Sequence, residues 1–167
     1  MEKAVEKVQE HVKHIEKILS KVNKEIEKID KELREVREQL TKKEEEIIET
    51  AREIRRLEHK IKEVKQKLRK NRKLLQQAET ERQLERLRAD RTKLLNELYE
   101  FSNKLDELRE KYKNLTFEED KLLEKEDKLE KKREKLLHEH DVLLKELEHY
   151  LENLSKKITE FRELHNI

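Results

Sequence analysis

Apolar residues recur at steps of three and four from the first residue onward, and this repeat limits what the chain can fold into more than any other feature. One series runs Val5, Val12, Leu19, Ile26, Leu33, Leu40, Ile47, Ile54, Ile61, Leu68 and Leu75, which are assigned to heptad position a. The d series is Met1, Val8, Ile15, Val22, Ile29, Val36, Lys43, Thr50, Leu57, Val64, Asn71 and Ala78, with Lys43, Thr50 and Asn71 as polar exceptions. Heptads sustained over this many turns are the signature of a coiled coil. The repeat also settles an ambiguity of composition. Half of the 167 residues are charged and 32% are apolar, against about 45–50% apolar in a globular domain. High charge with few aromatics suits either a disordered polyelectrolyte or a long helix, and only the helix carries a heptad period.

A second register begins at Leu84. Its a positions are Leu84, Arg91, Leu98, Leu105, Tyr112, Glu119, Glu126, Arg133, His140, Leu147, Leu154 and Phe161. Its d positions are Leu87, Leu94, Phe101, Leu108, Leu115, Leu122, Leu129, Leu136, Leu143, Tyr150, Lys157 and Leu164. The two registers are offset by two residues, which turns the apolar seam by roughly 200° around one continuous helix. The offset coincides with Thr80 followed three residues later by Gln83, the pattern of a capping box. The expected fold is therefore all-α: a long two-helix antiparallel coiled-coil hairpin over 1–167 as a single unit. Its first helix covers about 1–78, its turn about 79–83 and its second helix about 84–167. Gln77-Ala78-Glu79-Thr80-Glu81 holds no residue that favours a turn, and the chain has no Gly and no Pro. An antiparallel dimer of two unbroken helices would make the same contacts and stays open. A second capping-box pattern, at Thr116-Phe117-Glu118-Glu119, causes no phase shift and is expected inside the second helix or at a kink.

Pairing residues whose numbers sum to 162 sets every a position against a d position. Leu75 then meets Leu87, Leu68 meets Leu94, Ile61 meets Phe101, Ile15 meets Leu147 and Met1 meets Phe161. Among the polar exceptions, Lys43 faces Glu119 and Asn71 faces Arg91. A parallel homodimer would oppose each core charge with its own copy, which is unfavourable. Glu126, Arg133 and His140 face Val36, Ile29 and Val22, so they are expected to be unmatched and their stretch the loosest.

Leu95, Leu123, Leu137 and Leu144 fall at position e of the second helix, opposite Lys67, Gln39, Glu25 and Ile18. A widened apolar stripe calls for further helices. The expectation is self-association of hairpins into a four-helix bundle, or pairing with another coiled-coil protein. The alternative is scattered leucines shielded by Lys and Arg stems.

Net charge is only +2, yet residues 52–93 carry sixteen Lys or Arg against seven Asp or Glu. This basic tip offers Arg55, Arg56, Lys62, Lys65, Arg69, Lys70, Arg72 and Lys73 as candidate ligands for phosphate or an anionic surface. With no aromatic residue between 52 and 93, contact with nucleic acid would be sequence-tolerant. The competing reading is a solvated face held by pairs such as Glu58–Lys62 and Glu63–Lys67.

Other chemistry finds little footing. Without Cys there are no thiolate sites, and without Gly there is no Gly-rich phosphate loop. His11, His14 and His149 come near one another in the antiparallel register, but His14 and His149 point outward, so no metal is expected. A two-helix seam lacks the concave cavity that catalysis needs, so no catalytic residue, enzyme activity or cofactor is expected. No apolar run approaches a membrane span, and Met1-Glu2-Lys3 leads straight into the amphipathic repeat without a signal-peptide pattern. A cytoplasmic or nuclear setting is the default expectation. In layout the expected hairpin resembles the arm segments of SMC-type proteins and the basic helical hairpin of seryl-tRNA synthetases. The resemblance rests on architecture and on no motif. The functional expectation is a structural scaffold, spacer or tether; the alternative is a sequence-tolerant nucleic-acid or anionic-surface binding module.

Overall fold

The computed structural model describes residues 2–165 and contains two helices, α1 (Glu2–Gln77) and α2 (Glu81–His165), packed against each other as an all-α hairpin. The heptads account for which side chains pack. Val8, Ile15, Val22, Ile29, Val36, Leu57 and Val64, all d positions of α1, are buried, as are its a residues Leu19, Leu33 and Leu40. From α2 the seam buries Leu105, Leu115, Leu129 and Leu136. Each buried aliphatic side chain contributes about 1.5–3 kcal/mol, so the seam carries the stability and the charged flanks contribute little. The pairing of Met1 with Phe161 lies outside the described residues.

The turn is formed without glycine. No described residue has a positive φ, so the reversal through 78–80 asks for no left-handed backbone. Thr80 stops the turn and starts α2. Its hydroxyl oxygen accepts the Gln83 N–H at 3.2 Å, and its carbonyl accepts the Leu84 N–H at 3.1 Å. The Gln83 side-chain oxygen in turn accepts the Glu79 N–H at 3.3 Å. These bonds satisfy donors that a helix N-terminus otherwise leaves bare. Helix α2 therefore begins at Glu81, ahead of the first apolar heptad residue Leu84, and the turn is shorter than 79–83 implies. At the other capping pattern, Thr116 donates to the Lys113 carbonyl at 2.8 Å and α2 continues through it.

The chain packs as two units, Met1–Glu38 with Leu123–Ile167, and Gln39–Leu122. In the first unit two of the three a residues expected to be unmatched, Glu126 and Arg133, find ion-pair partners, contrary to the expectation from register alone. Arg37 forks to Glu126 at 3.4 Å and Glu130 at 3.0 Å, and Arg133 donates to Asp30 at 2.6 Å. Long side chains at a positions lean out of the seam towards the flanking row, where the opposite charge sits. The stretch expected to be loosest is among the most tightly covered: Ile29, Leu33 and Val36 lie within it, and Val36 is 2% exposed.

In the second unit both polar pairings shift. Lys43 bonds Glu118 at 2.6 Å and not Glu119. That hydrogen bond is the main reason the Lys43 ammonium is held above its ordinary pKa. Asn71 is buried and donates from Nδ2 to the Leu87 carbonyl at 2.9 Å, in place of meeting Arg91. Thr50, 2% exposed, is satisfied within its own helix through the Glu46 carbonyl at 2.7 Å.

Candidate functional site

Two surface features have the regularity of an interaction site, one in each unit. In the first unit, Leu137 (40% exposed), Leu144 (36%), Leu151 (46%) and Ile158 (38%) stand seven residues apart along α2. Residues at that spacing share one face of a helix. Half-buried Leu147 and Leu154 interleave with them, as do His140 and the exposed Phe161. The result is a second apolar ladder in the three-four rhythm of a coiled-coil seam, beside the seam that α2 shares with α1. Leu123 is exposed on the same row, separated from Leu137 by Glu130. Leu95, also exposed, belongs to the other unit and has Arg88 and Ser102 as its row neighbours, so it extends no ladder. Leu151 and Ile158 were missed by a residue-by-residue comparison with the opposing helix, although the heptad row itself names them. The asymmetry between the helices is plain: the exposed large apolar residues of α1 are Ile48 and Leu74, and the others lie on α2.

In the second unit, all eight basic candidates are exposed. The structure divides them. Arg55, Lys62 and Arg69 are seven apart, as are Lys65 and Arg72, and the two rows interleave at steps of three and four. These five form one stripe along α1. Arg55, Lys62 and Lys65 line an open groove that Ser102 and Arg109 of α2 complete. Lys70 lies on the opposite flank, in a groove with Lys67 and Lys93 that also holds Asp90 and Glu97. Arg56 lines a separate groove with Arg52 and the acidic Glu45, Glu49 and Glu53. Lys73 lines neither of the first two grooves.

Glu58 and Asp106 line the same groove as the stripe, and two of the carboxylates near the stripe are engaged elsewhere. Glu58 accepts from Arg109 at 3.4 Å, across to α2, and Glu63 pairs with His59 at 3.1 Å. The intrahelical pairs Glu58–Lys62 and Glu63–Lys67 that would have neutralised the face are thus not formed. Arg109 was not singled out in the sequence because it lies outside the basic segment; only the antiparallel register brings it to the stripe.

His11 and His149 share an aromatic partner. His11 stacks on Tyr150 with ring centroids 5.5 Å apart, and His149 meets the same ring edge-on at 6.2 Å. His149 Nε2 lies 3.3 Å from Asn153 Nδ2. Among the described residues no group of three or more His, Asp or Glu is placed to hold a metal ion, and no helix is long and apolar enough to cross a membrane. No family model, no curated protein and no solved structure matches the chain.

Proposed function

We propose that the protein is a structural coiled coil, serving as a scaffold, spacer or tether, and that it works by pairing the second apolar ladder of α2 with another helix. The observation that carries this reading is the exposed row Leu137, Leu144, Leu151 and Ile158. Four aliphatic side chains on one row remain more than a third exposed in a chain that is otherwise half charged. Covering such a row is favourable by about 25 cal/mol for each Å² removed from water.

The partner that fits is a second copy running antiparallel. Laid against itself in that sense, the ladder sets Leu137 to Phe161, Leu144 to Leu154 and Leu151 to Leu147, leaving Ile158 to His140. A surface that matches its own reverse is what a two-fold dimer requires. The same arrangement brings Asp141 towards Arg162 on the flank, an attraction formed twice in the dimer. Two hairpins joined in this way make a four-helix bundle around α2.

Sedimentation velocity over a range of concentrations tests the proposal. The wild type is expected to be dimeric at micromolar concentration. Replacing Leu137, Leu144 and Leu151 with Gln is expected to give monomers that keep most of their helical circular dichroism. A wild type that stays monomeric throughout the range sinks the proposal.

A further inference from the structure

The basic stripe belongs to a different unit from the leucine ladder and offers a different chemistry. We propose that it binds single-stranded nucleic acid, with Arg55, Lys62, Lys65, Arg69 and Arg72 as ligands for successive phosphates and Tyr99 as the platform for a base.

The argument starts from spacing. From Lys62 to Arg72 the stripe steps by three, four and three residues, a rise of about 4.5–6 Å per step. A backbone laid along α1 therefore meets a cation at close to every phosphate. None of the five makes an ion pair with another described residue. Of the two carboxylates that line their groove, Glu58 is held by Arg109, and Asp106 is left to set against Arg55, Lys62 and Lys65. The stripe's groove sets Arg55, Lys62, Lys65 and Arg109 against Glu58 and Asp106, while on the opposite flank Lys67, Lys70 and Lys93 share their groove with Asp90 and Glu97. The larger excess of positive charge, and the regular row of cations, thus lie on the stripe's side, which favours one orientation of a bound polyanion.

Tyr99 decides between ligands. It is 70% exposed and stands three residues from Ser102, which lines the stripe's groove. An aromatic ring beside a cationic track is the arrangement that holds single strands, because every base has a face to stack. A duplex keeps its bases stacked internally and has no use for the ring. An anionic bilayer would call for an apolar row able to enter the headgroup layer. The α2 row beside the stripe runs Arg88, Leu95, Ser102 and Arg109, with a single apolar member. RNA and DNA share the phosphate chemistry that the stripe reads, and the two are separated by experiment.

The test uses the whole chain and fluorescence anisotropy with labelled 20-nucleotide oligouridine and oligothymidine near 0.15 M salt. One variant changes Arg55, Lys62, Lys65, Arg69 and Arg72 to Gln. A second removes the same charge from the other flank, with Arg56, Lys67, Lys70, Arg86 and Lys93 changed to Gln. The stripe variant is expected to bind at least tenfold more weakly, and the other-flank variant to change by less than threefold. The dependence of log K on log salt is expected to flatten by about 3.5 in the stripe variant, since each of the five phosphate contacts to a single strand contributes about 0.7. Tyr99→Ala is expected to weaken single-strand binding at least fivefold. Circular dichroism checks that each variant stays helical, and none of the substitutions touches the leucine ladder. No binding by the wild type, or equal losses in the two charge variants, overturns the proposal. So does an unchanged affinity in Tyr99→Ala, or tighter binding to a duplex of equal length or to phosphatidylserine vesicles.

Discussion

Asn71 shows how much a single side chain can both stabilise and strain a helical seam. It occupies a d position and is 5% exposed. Its amide nitrogen is bonded to the Leu87 carbonyl, while its amide oxygen is buried with no hydrogen-bond partner among the described residues. A buried acceptor left unpaired costs about 1–3 kcal/mol. Asn71→Leu removes that acceptor and adds apolar contact at the same level of the seam. It is expected to stabilise the hairpin by about 1–2 kcal/mol, read as a higher urea midpoint with an unchanged slope. Polar residues at core positions commonly fix register at a cost in stability. The bond from Asn71 to Leu87, so close to the turn, has that character. The Lys43–Glu118 bond is the other residue-scale departure from simple facing pairs. Both have one cause: heptad arithmetic treats residues as points on a line, while Lys, Arg, Glu and Asn side chains span more than one level of the seam. Lys43 passes over Glu119 to Glu118, and Arg37 and Asp30 reach in from a flanking row to Glu126 and Arg133.

At the scale of the element, the period of the apolar residues was enough to recover both helices and the sense in which they pair. Val8, Ile15, Val22, Ile29, Val36, Leu57 and Val64 in α1 and Leu105, Leu115, Leu129 and Leu136 in α2 are buried where the heptads put them, others such as Ile26, Ile47, Leu108 and Leu122 are half-buried, and Tyr112 at an a position is exposed. The place where α2 starts was legible too, though from Thr80 and Gln83 and not from the apolar pattern, which resumes only at Leu84. Thr80 supplies the oxygen that caps the new helix, and removing such a cap costs about 1 kcal/mol. Thr80→Ala is accordingly expected to lower stability by about that amount, and Thr80→Ser to restore most of it, as measured by thermal unfolding. The candidate surfaces were only half legible. The leucines and the basic segment could be named from the sequence. Their grouping could not, because it depends on which row of each helix remains uncovered once the hairpin has closed. That is why Leu95 separates from Leu137 and Leu144, why Leu151 and Ile158 join them, and why five of the eight basic candidates line up while Arg56 and Lys70 turn away.

At the scale of the whole molecule, the partners brought together grow more distant in sequence with distance from the turn. Asn71 and Leu87 are 16 residues apart, Glu58 and Arg109 are 51, and Asp30 and Arg133 are 103. Loop closure costs more for longer loops, so contacts near the turn form first and those far from it follow. Stopped-flow measurements are expected to show Val64→Ala slowing folding, while Ile15→Ala mainly speeds unfolding. The reverse pattern would place the nucleus away from the turn. The turn itself has a further consequence. Because no turn residue has a positive φ and none is Gly or Pro, Ala78, Glu79 and Thr80 would lose the cap and gain helical hydrogen bonds if the reversal opened. Opened chains have the same seam to offer one another that each offered itself. Refolding at high concentration is accordingly expected to yield a share of chains that have exchanged halves with a neighbour, a share that sedimentation would show rising with the concentration at which the chains last folded.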